Sequence, residues 1–200
     1  MRGRHHIPLS LIGPRASGKT TVAAKSGGMV WDTDEILEKR FGSVSSLVAE
    51  SGWDLFREYE ADVLQESLGA AETFMKTAAS DEFASQRKWI WPAVISTGGG
   101  IVLLKENRIA LKERTVCVYL SVPDDILLER RLKAPMESRR PSLASNRQTE
   151  AGREELAEEI TRIQAEREEL YRECAHVVLD GALPMREILE GIAGIWTRYS

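Results

Sequence analysis

The stretch that most constrains the fold is "PLSLIGPRASGKTT", in which a short apolar run, 8–13, leads directly into a glycine-rich loop. The loop reads G-x-x-x-x-G-K-[ST], a pattern that has a mechanism only after a strand and at the start of a helix, and both flanks fit. Backbone N–H groups at a helix N-terminus wrap phosphate oxygens, and the helix dipole adds to the attraction. On this reading Gly13, Pro14, Arg15, Ala16, Ser17, Gly18, Lys19, Thr20 and Thr21 cradle a nucleoside triphosphate. Lys19 reaches the β- and γ-phosphates and Thr20 ligates Mg²⁺.

A strand that turns into a helix so abruptly belongs to a parallel sheet, and the rest of the chain keeps that rhythm. Strands are expected at 8–13, 29–32, 93–96, 116–120 and 176–180, with helices at 18–26, 33–41, 44–50, 53–78, 105–113, 123–133, 151–173 and 184–198. Gly27 and Gly28 suit the end of the first helix, and Pro123 with Asp124 and Asp125 suits the start of another. The expected fold class is α/β: a P-loop three-layer α/β/α architecture with a five-stranded parallel sheet flanked by helices. "KAPMESRRPSLASNRQTE", about 133–150, carries two prolines and several serines and reads as a long, mobile lid loop.

Composition enters as an exclusion. A net charge of −4 with mixed signs gives no basic face, so nucleic acid is not an expected partner. No apolar run approaches the roughly 20 residues of a membrane span, and the N-terminal stretch lacks the form of a secretory signal, so a cytoplasmic protein is expected. With 200 residues, one domain covering 1–200 is expected. Cys117 and Cys174, without C-x-x-C spacing, read as small buried thiols.

Three further motifs carry chemistry. In "WDTDEIL", Asp32 ends the second strand, where ligands collect in a parallel sheet; it reads as a helix cap or as a second-sphere contact to Mg²⁺. Asp34, two residues on, is placed to hold a substrate hydroxyl or to accept its proton. In "FREYE", Arg57 and Glu60 share a helix face, and an arginine aimed into the crevice is a natural fork for a carboxylate. "STGGGIV" sets Gly98, Gly99 and Gly100 in a row, which suggests a backbone surface offered to something that leaves no room for side chains.

The ordered set "GPRASGKTT", "DTD", "FREYE", "STGGGIV" with "ENR", "VYL", "RRPSL" and "REELY" resembles the shikimate kinase family over about residues 7 to 198. The resemblance implies that the chain transfers the γ-phosphoryl group of ATP to the 3-hydroxyl of shikimate, with Mg²⁺, in aromatic amino acid (chorismate) biosynthesis. It implies that Gly98, Gly99 and Gly100 wall the shikimate pocket, that Arg57 and Arg167 clamp the carboxylate, and that Asp34 holds the ring hydroxyls as general base. It puts acceptor binding on the helical region at about 33–65. It also implies that Arg140 swings over the phosphates and that Arg131 and Pro184 flank the adenine, with Arg130 as the adjacent candidate. The catalytic set is then Lys19, Asp34 and Arg140, with Thr20 and Asp32 serving the metal. A monomer is expected, with a weak dimer as the alternative.

Two departures from the family pattern stand out. Between Lys19 and Asp32 about one helical turn is missing. Before the triple glycine, "SLGAAETFMKTAASDEFASQRKWIWPAVIS" is an expansion, in which Trp89 and Trp91 read as cover for a hydrophobic edge or as a subunit contact. The competing readings are a kinase for another small hydroxy acid or a nucleoside monophosphate, and a non-catalytic P-loop switch that binds nucleotide without an acceptor.

Overall fold

The structure is a computed structural model describing residues 7–80, 89–134 and 150–199. Five strands, β1 (Leu9–Ile12), β2 (Met29–Asp32), β3 (Ala93–Ser96), β4 (Val116–Ser121) and β5 (Val177–Asp180), pair in parallel in the order β2-β3-β1-β4-β5. The helices are α1 (Lys19–Lys25), α2 (Thr33–Phe41), α3 (Val44–Ser80), α4 (Lys105–Arg114), α5 (Asp124–Lys133), α6 (Glu150–Cys174) and α7 (Met185–Tyr199). A 3₁₀ turn, Ile101–Leu103, precedes α4.

Alternation along the strands makes two cores, because successive side chains leave opposite faces of a sheet. Ala93, Ile95, Cys117 and Tyr119 pack on one face with Leu64 and Leu68 of α3, Leu111 of α4 and Tyr171 of α6. Val94, Val116, Val118 and Leu120 face the other way, against Val22 of α1 and Ile188 and Ile192 of α7. This is the expected three-layer arrangement. The inner strands β1 and β3 are wholly buried, whereas Met29 on the edge strand β2 is 49% exposed and Val178 on β5 is 42% exposed.

Local chemistry sets the boundaries. Gly27 takes φ 78° just past α1, the left-handed geometry that ends a helix. Asp32 caps α2, its Oδ1 accepting from the N–H groups of Asp34 and Glu35 at 3.1 and 3.2 Å. Within α3 the helical path breaks at Gly52 (φ 78°, ψ 172°), which separates the 44–50 and 53–78 helices expected from the sequence.

The two departures meet in space. Ile90 N–H donates to the Ser26 carbonyl at 2.8 Å and Met29 N–H to the Pro92 carbonyl at 2.8 Å. The Trp89–Pro92 segment therefore runs along the turn after the shortened α1. Trp91 is fully buried, donates its indole N–H to the Ile7 carbonyl at 3.1 Å and packs edge-on to Trp196 with ring centroids 4.8 Å apart. It is core packing, not a free subunit surface. Cys117 and Cys174 are buried free thiols, as expected, with sulfurs 3.7 Å apart. Among the described residues no helix is long and apolar enough to cross a membrane.

Candidate active site

β1 and β3 are neighbours in register, Leu11 opposite Ser96, so the loops leaving their carboxyl ends emerge side by side. The order of the sheet reverses around β1, and such a switch point opens a crevice beyond the strand ends. One of these loops is the P-loop and the other is the triple glycine.

The P-loop lines a cavity of about 500 Å³ together with Asp34, Thr97, Arg130 and Leu183. Ala16 takes a left-handed φ of 68°, an uncommon conformation that helps successive N–H groups converge. The Lys19 ammonium donates to the Gly13 and Pro14 carbonyls at 2.9 and 2.8 Å and to Ser17 Oγ at 3.3 Å. Thr20 Oγ1 donates to Asp32 Oδ2 at 2.7 Å. Asp32 therefore caps α2 with one oxygen, the first of its two expected roles, and reaches the P-loop threonine with the other.

A second cavity, about 150 Å³, adjoins the first and shares Arg15 and Gly99 with it. Arg57, Gly99, Gly100, Arg167 and Tyr171 line it. Nη1 of Arg57 lies 2.5 Å from Glu60 Oε2, and its guanidinium sits 5.3 Å from the Trp53 ring centroid and 5.1 Å from that of Phe56. The Arg57–Glu60 pair is nearly enclosed, the side chains 16% and 1% exposed. Such a fixed guanidinium fork suits a carboxylate.

The triple glycine is a matter of space. None of Gly98, Gly99 and Gly100 has a positive φ. A Cβ on Gly98 would lie 2.6 Å from Asp34 Oδ1 and 2.7 Å from Glu60 Oε1, and one on Gly100 would lie 2.2 Å from Arg57 Nη1. The loop is held from several sides: Gly98 N–H donates to Thr33 Oγ1 at 3.1 Å, and Arg167 Nη1 and the Tyr171 hydroxyl donate to the Gly99 carbonyl at 3.1 and 2.5 Å. Arg108 of the "ENR" stretch donates to the Val102 carbonyl at 2.7 Å, steadying the turn that follows.

Most of the expected site residues thus converge. Arg131 does not: it lines the smaller cavity and pairs with Glu159 at 2.9 Å, because the turn of α5 aims it at α6. Its neighbour Arg130 lines the P-loop cavity, donating to the Gly181 carbonyl at 2.9 Å and to the Ala16 and Ser17 carbonyls at 3.3 Å. Pro184 lies just before α7, between the cavity-lining residues Leu183 and Met185. Arg140 and the 135–149 part of the expected lid lie outside the described residues. Sequence reasoning assigned no site role to Glu60 or Tyr171, although "FREYE" and "REELY" contain them.

Residues 15–193 match the family model described as shikimate kinase. A shikimate kinase of Oleidesulfovibrio alaskensis is 39% identical over 179 residues, covering 87% of this chain and 88% of that protein. One of Nitratidesulfovibrio vulgaris is 37% identical over 190 residues, covering 92% and 93%. Among solved structures, shikimate kinase from Acinetobacter baumannii in complex with shikimate superposes with a TM-score of 0.70 at 26% identity, covering 96% of this chain and 93% of that one. With its P-loop, its glycine wall and this match along most of its length, the chain belongs to the shikimate kinase family.

Proposed function

We propose that this protein transfers the γ-phosphoryl group of ATP to the 3-hydroxyl of shikimate, giving shikimate 3-phosphate and ADP for aromatic amino acid biosynthesis. The observation that carries the reading is the pairing of a P-loop cavity with a smaller one that has a glycine-backbone wall and, among its lining residues, Arg57 and Arg167 beside that wall. A compact polyol acid fits such a wall, and a nucleoside monophosphate acceptor would need a base-recognising pocket instead.

In the proposed reaction Arg57 and Arg167 hold the acceptor's carboxylate, while the backbone of Gly98, Gly99 and Gly100 meets the ring. Asp34 lines the P-loop cavity, and its Oδ1 also borders Gly98. It stands where an acceptor hydroxyl faces the γ-phosphate, and it takes that hydroxyl's proton. Lys19 neutralises charge on the transferred group. Phosphoryl transfer goes through a loose transition state, so positioning and charge neutralisation supply most of the catalysis.

The donor set at the P-loop, a threonine hydroxyl and a carboxylate 2.7 Å apart, is hard oxygen chemistry suited to Mg²⁺. Thr20 would hold the ion, with Asp32 behind it, and bound Mg²⁺ would screen the phosphate charge. Arg130 and Pro184 are assigned to the adenine side, and Arg131, paired with Glu159, to the acceptor side. Arg140 is assigned to the phosphates on the resemblance alone. The chain is read as one kinase domain, monomeric and cytoplasmic, with residues at about 33–65 contributing acceptor-binding helices.

The test is ADP formation from MgATP with and without shikimate, with quinate and nucleoside monophosphates as comparison acceptors. Shikimate-dependent ADP release is expected, and Arg57→Ala is expected to lower kcat/KM for shikimate by about 100-fold or more, a charge-assisted contact being removed. A folded, ATP-binding protein indifferent to shikimate leaves the other acceptors, or the switch reading.

A further inference from the structure

Gly99 occupies the place where the two cavities meet, and its carbonyl accepts two hydrogen bonds from the same helix. Arg167 Nη1 reaches it at 3.1 Å, and the Tyr171 hydroxyl, one turn further along α6, reaches it at 2.5 Å. A peptide is planar and trans, so holding the Gly99 carbonyl also fixes the direction of the Gly100 N–H in the glycine wall. The tyrosine ring is well supported. It is fully buried and stacks on Tyr119 of β4 with centroids 4.9 Å apart and planes 20° apart. The Tyr119 hydroxyl in turn donates to Glu168, whose other oxygen lies 2.6 Å from Arg172.

From this geometry we infer that Tyr171 is a positioning residue for the acceptor: it keeps the Gly99 carbonyl satisfied when Arg167 leaves that carbonyl for the acceptor's carboxylate. Without Tyr171, turning Arg167 toward a ligand would strand a buried carbonyl, and an unsatisfied buried acceptor is costly. With it, the arginine is free to exchange one oxygen for another. The inference rests on the proposed role of Arg167 as a carboxylate clamp. Burial keeps the phenol well above its ordinary pKa, so the hydroxyl remains a donor throughout the neutral range.

The experiment is a kinetic comparison of wild type with Tyr171→Phe, which removes one oxygen and keeps the stacked ring. Expected is a rise in KM for shikimate of about 5- to 20-fold, matching the loss of one buried hydrogen bond. The expected kcat at saturating shikimate and KM for ATP both stay within about threefold, since the nucleotide side and the reacting atoms keep their contacts. An unchanged shikimate KM in an active, folded Tyr171→Phe overturns the inference, and so does an equal loss on both substrates. A wild type that ignores shikimate instead overturns the proposed function, so the two failures are distinguishable. Tyr119→Phe serves as the control for loss of a neighbouring phenol oxygen, because it removes the bond to Glu168 while keeping both the stacked ring and the Tyr171 donor. If its shikimate KM rises as far as that of Tyr171→Phe, the effect comes from disturbing the tyrosine pair in general and positioning by the Tyr171 hydroxyl is ruled out.

Discussion

Gly100 shows how contact rather than conformation selects a residue. Its φ of −97° is open to any amino acid, yet a Cβ would press into the Arg57 guanidinium, 2.2 Å from Nη1 and 2.6 Å from Cζ. The obstacle is the end of a side chain, so the fold can yield where the site cannot. Gly100→Ala is therefore expected to shift the melting temperature by less than about 4 °C, a change of roughly 1 kcal/mol at this size. It is expected to raise KM for shikimate by about tenfold or more, because the displaced fork loses its Glu60 partner and its alignment. Melting curves and acceptor titrations on the same preparation check it: a large stability loss with unaltered acceptor kinetics would contradict the contact argument. Glu60 belongs to the same contact set but was not assigned from sequence, since an Arg and a Glu three residues apart on a helix look like any surface pair until the enclosing elements are known.

Among the elements, the shortened α1 illustrates compensation between distant segments. The missing turn and the tryptophan-bearing expansion are separate oddities in the sequence, but the Trp89–Pro92 backbone lies against the α1–β2 turn so closely that a Cβ on Gly28 would be 2.1 Å from the Trp91 carbonyl oxygen and 2.4 Å from that of Pro92. Here the obstacle is backbone. Gly28→Ala should lower the melting temperature by about 2–12 °C, the overpacking cost being about 1–3 kcal/mol, with kcat per folded molecule unchanged. The β4–β5 end gives a pH prediction. Burial lowers the pKa of His176, and its Nδ1 accepts from the Cys117 N–H at 3.1 Å, a bond that only the neutral ring can make. The unfolded chain takes up a proton near the ordinary histidine value, about 6.5, before the folded chain does. The contribution is thus complete above that pH and lost as pH falls through the depressed folded value. Melting temperatures between pH 7.5 and 5 should decline less steeply in His176→Gln than in wild type. Ordinary signals made the strands, the caps at Asp32 and Gly27 and the break at Gly52 legible, because each has a local cause. The direction of Arg131 had none: adjacent arginines on a helix point about 100° apart, and only the packing of α5 against α6 decides which faces which cavity.

For the whole molecule, the sheet order places the nucleotide loop and the acceptor wall on neighbouring strands, and the two cavities share a partition. A Cβ on Gly99 would lie 3.3 Å from the Arg15 backbone nitrogen, so the P-loop and the glycine wall already touch. A ligand that orders one side of so thin a partition lowers the cost of ordering the other, which makes the two affinities interdependent. Repulsion between the acceptor's carboxylate and the phosphates opposes this, but in the proposed arrangement Lys19, Arg57 and Arg167 would stand among those charges and screen it. Shikimate is therefore expected to bind about five- to tenfold tighter when Mg²⁺ and a non-hydrolysable ATP analogue are present, at the low end of ordinary allosteric coupling. Linkage requires the nucleotide analogue to gain the same factor from shikimate, so calorimetric titrations in both orders provide an internal check. Gly99→Ala adds a group in tight contact with Arg15, and it should reduce that shared factor more than it reduces either separate affinity. Two affinities that ignore each other in wild type would mean that the partition is already rigid before either ligand arrives.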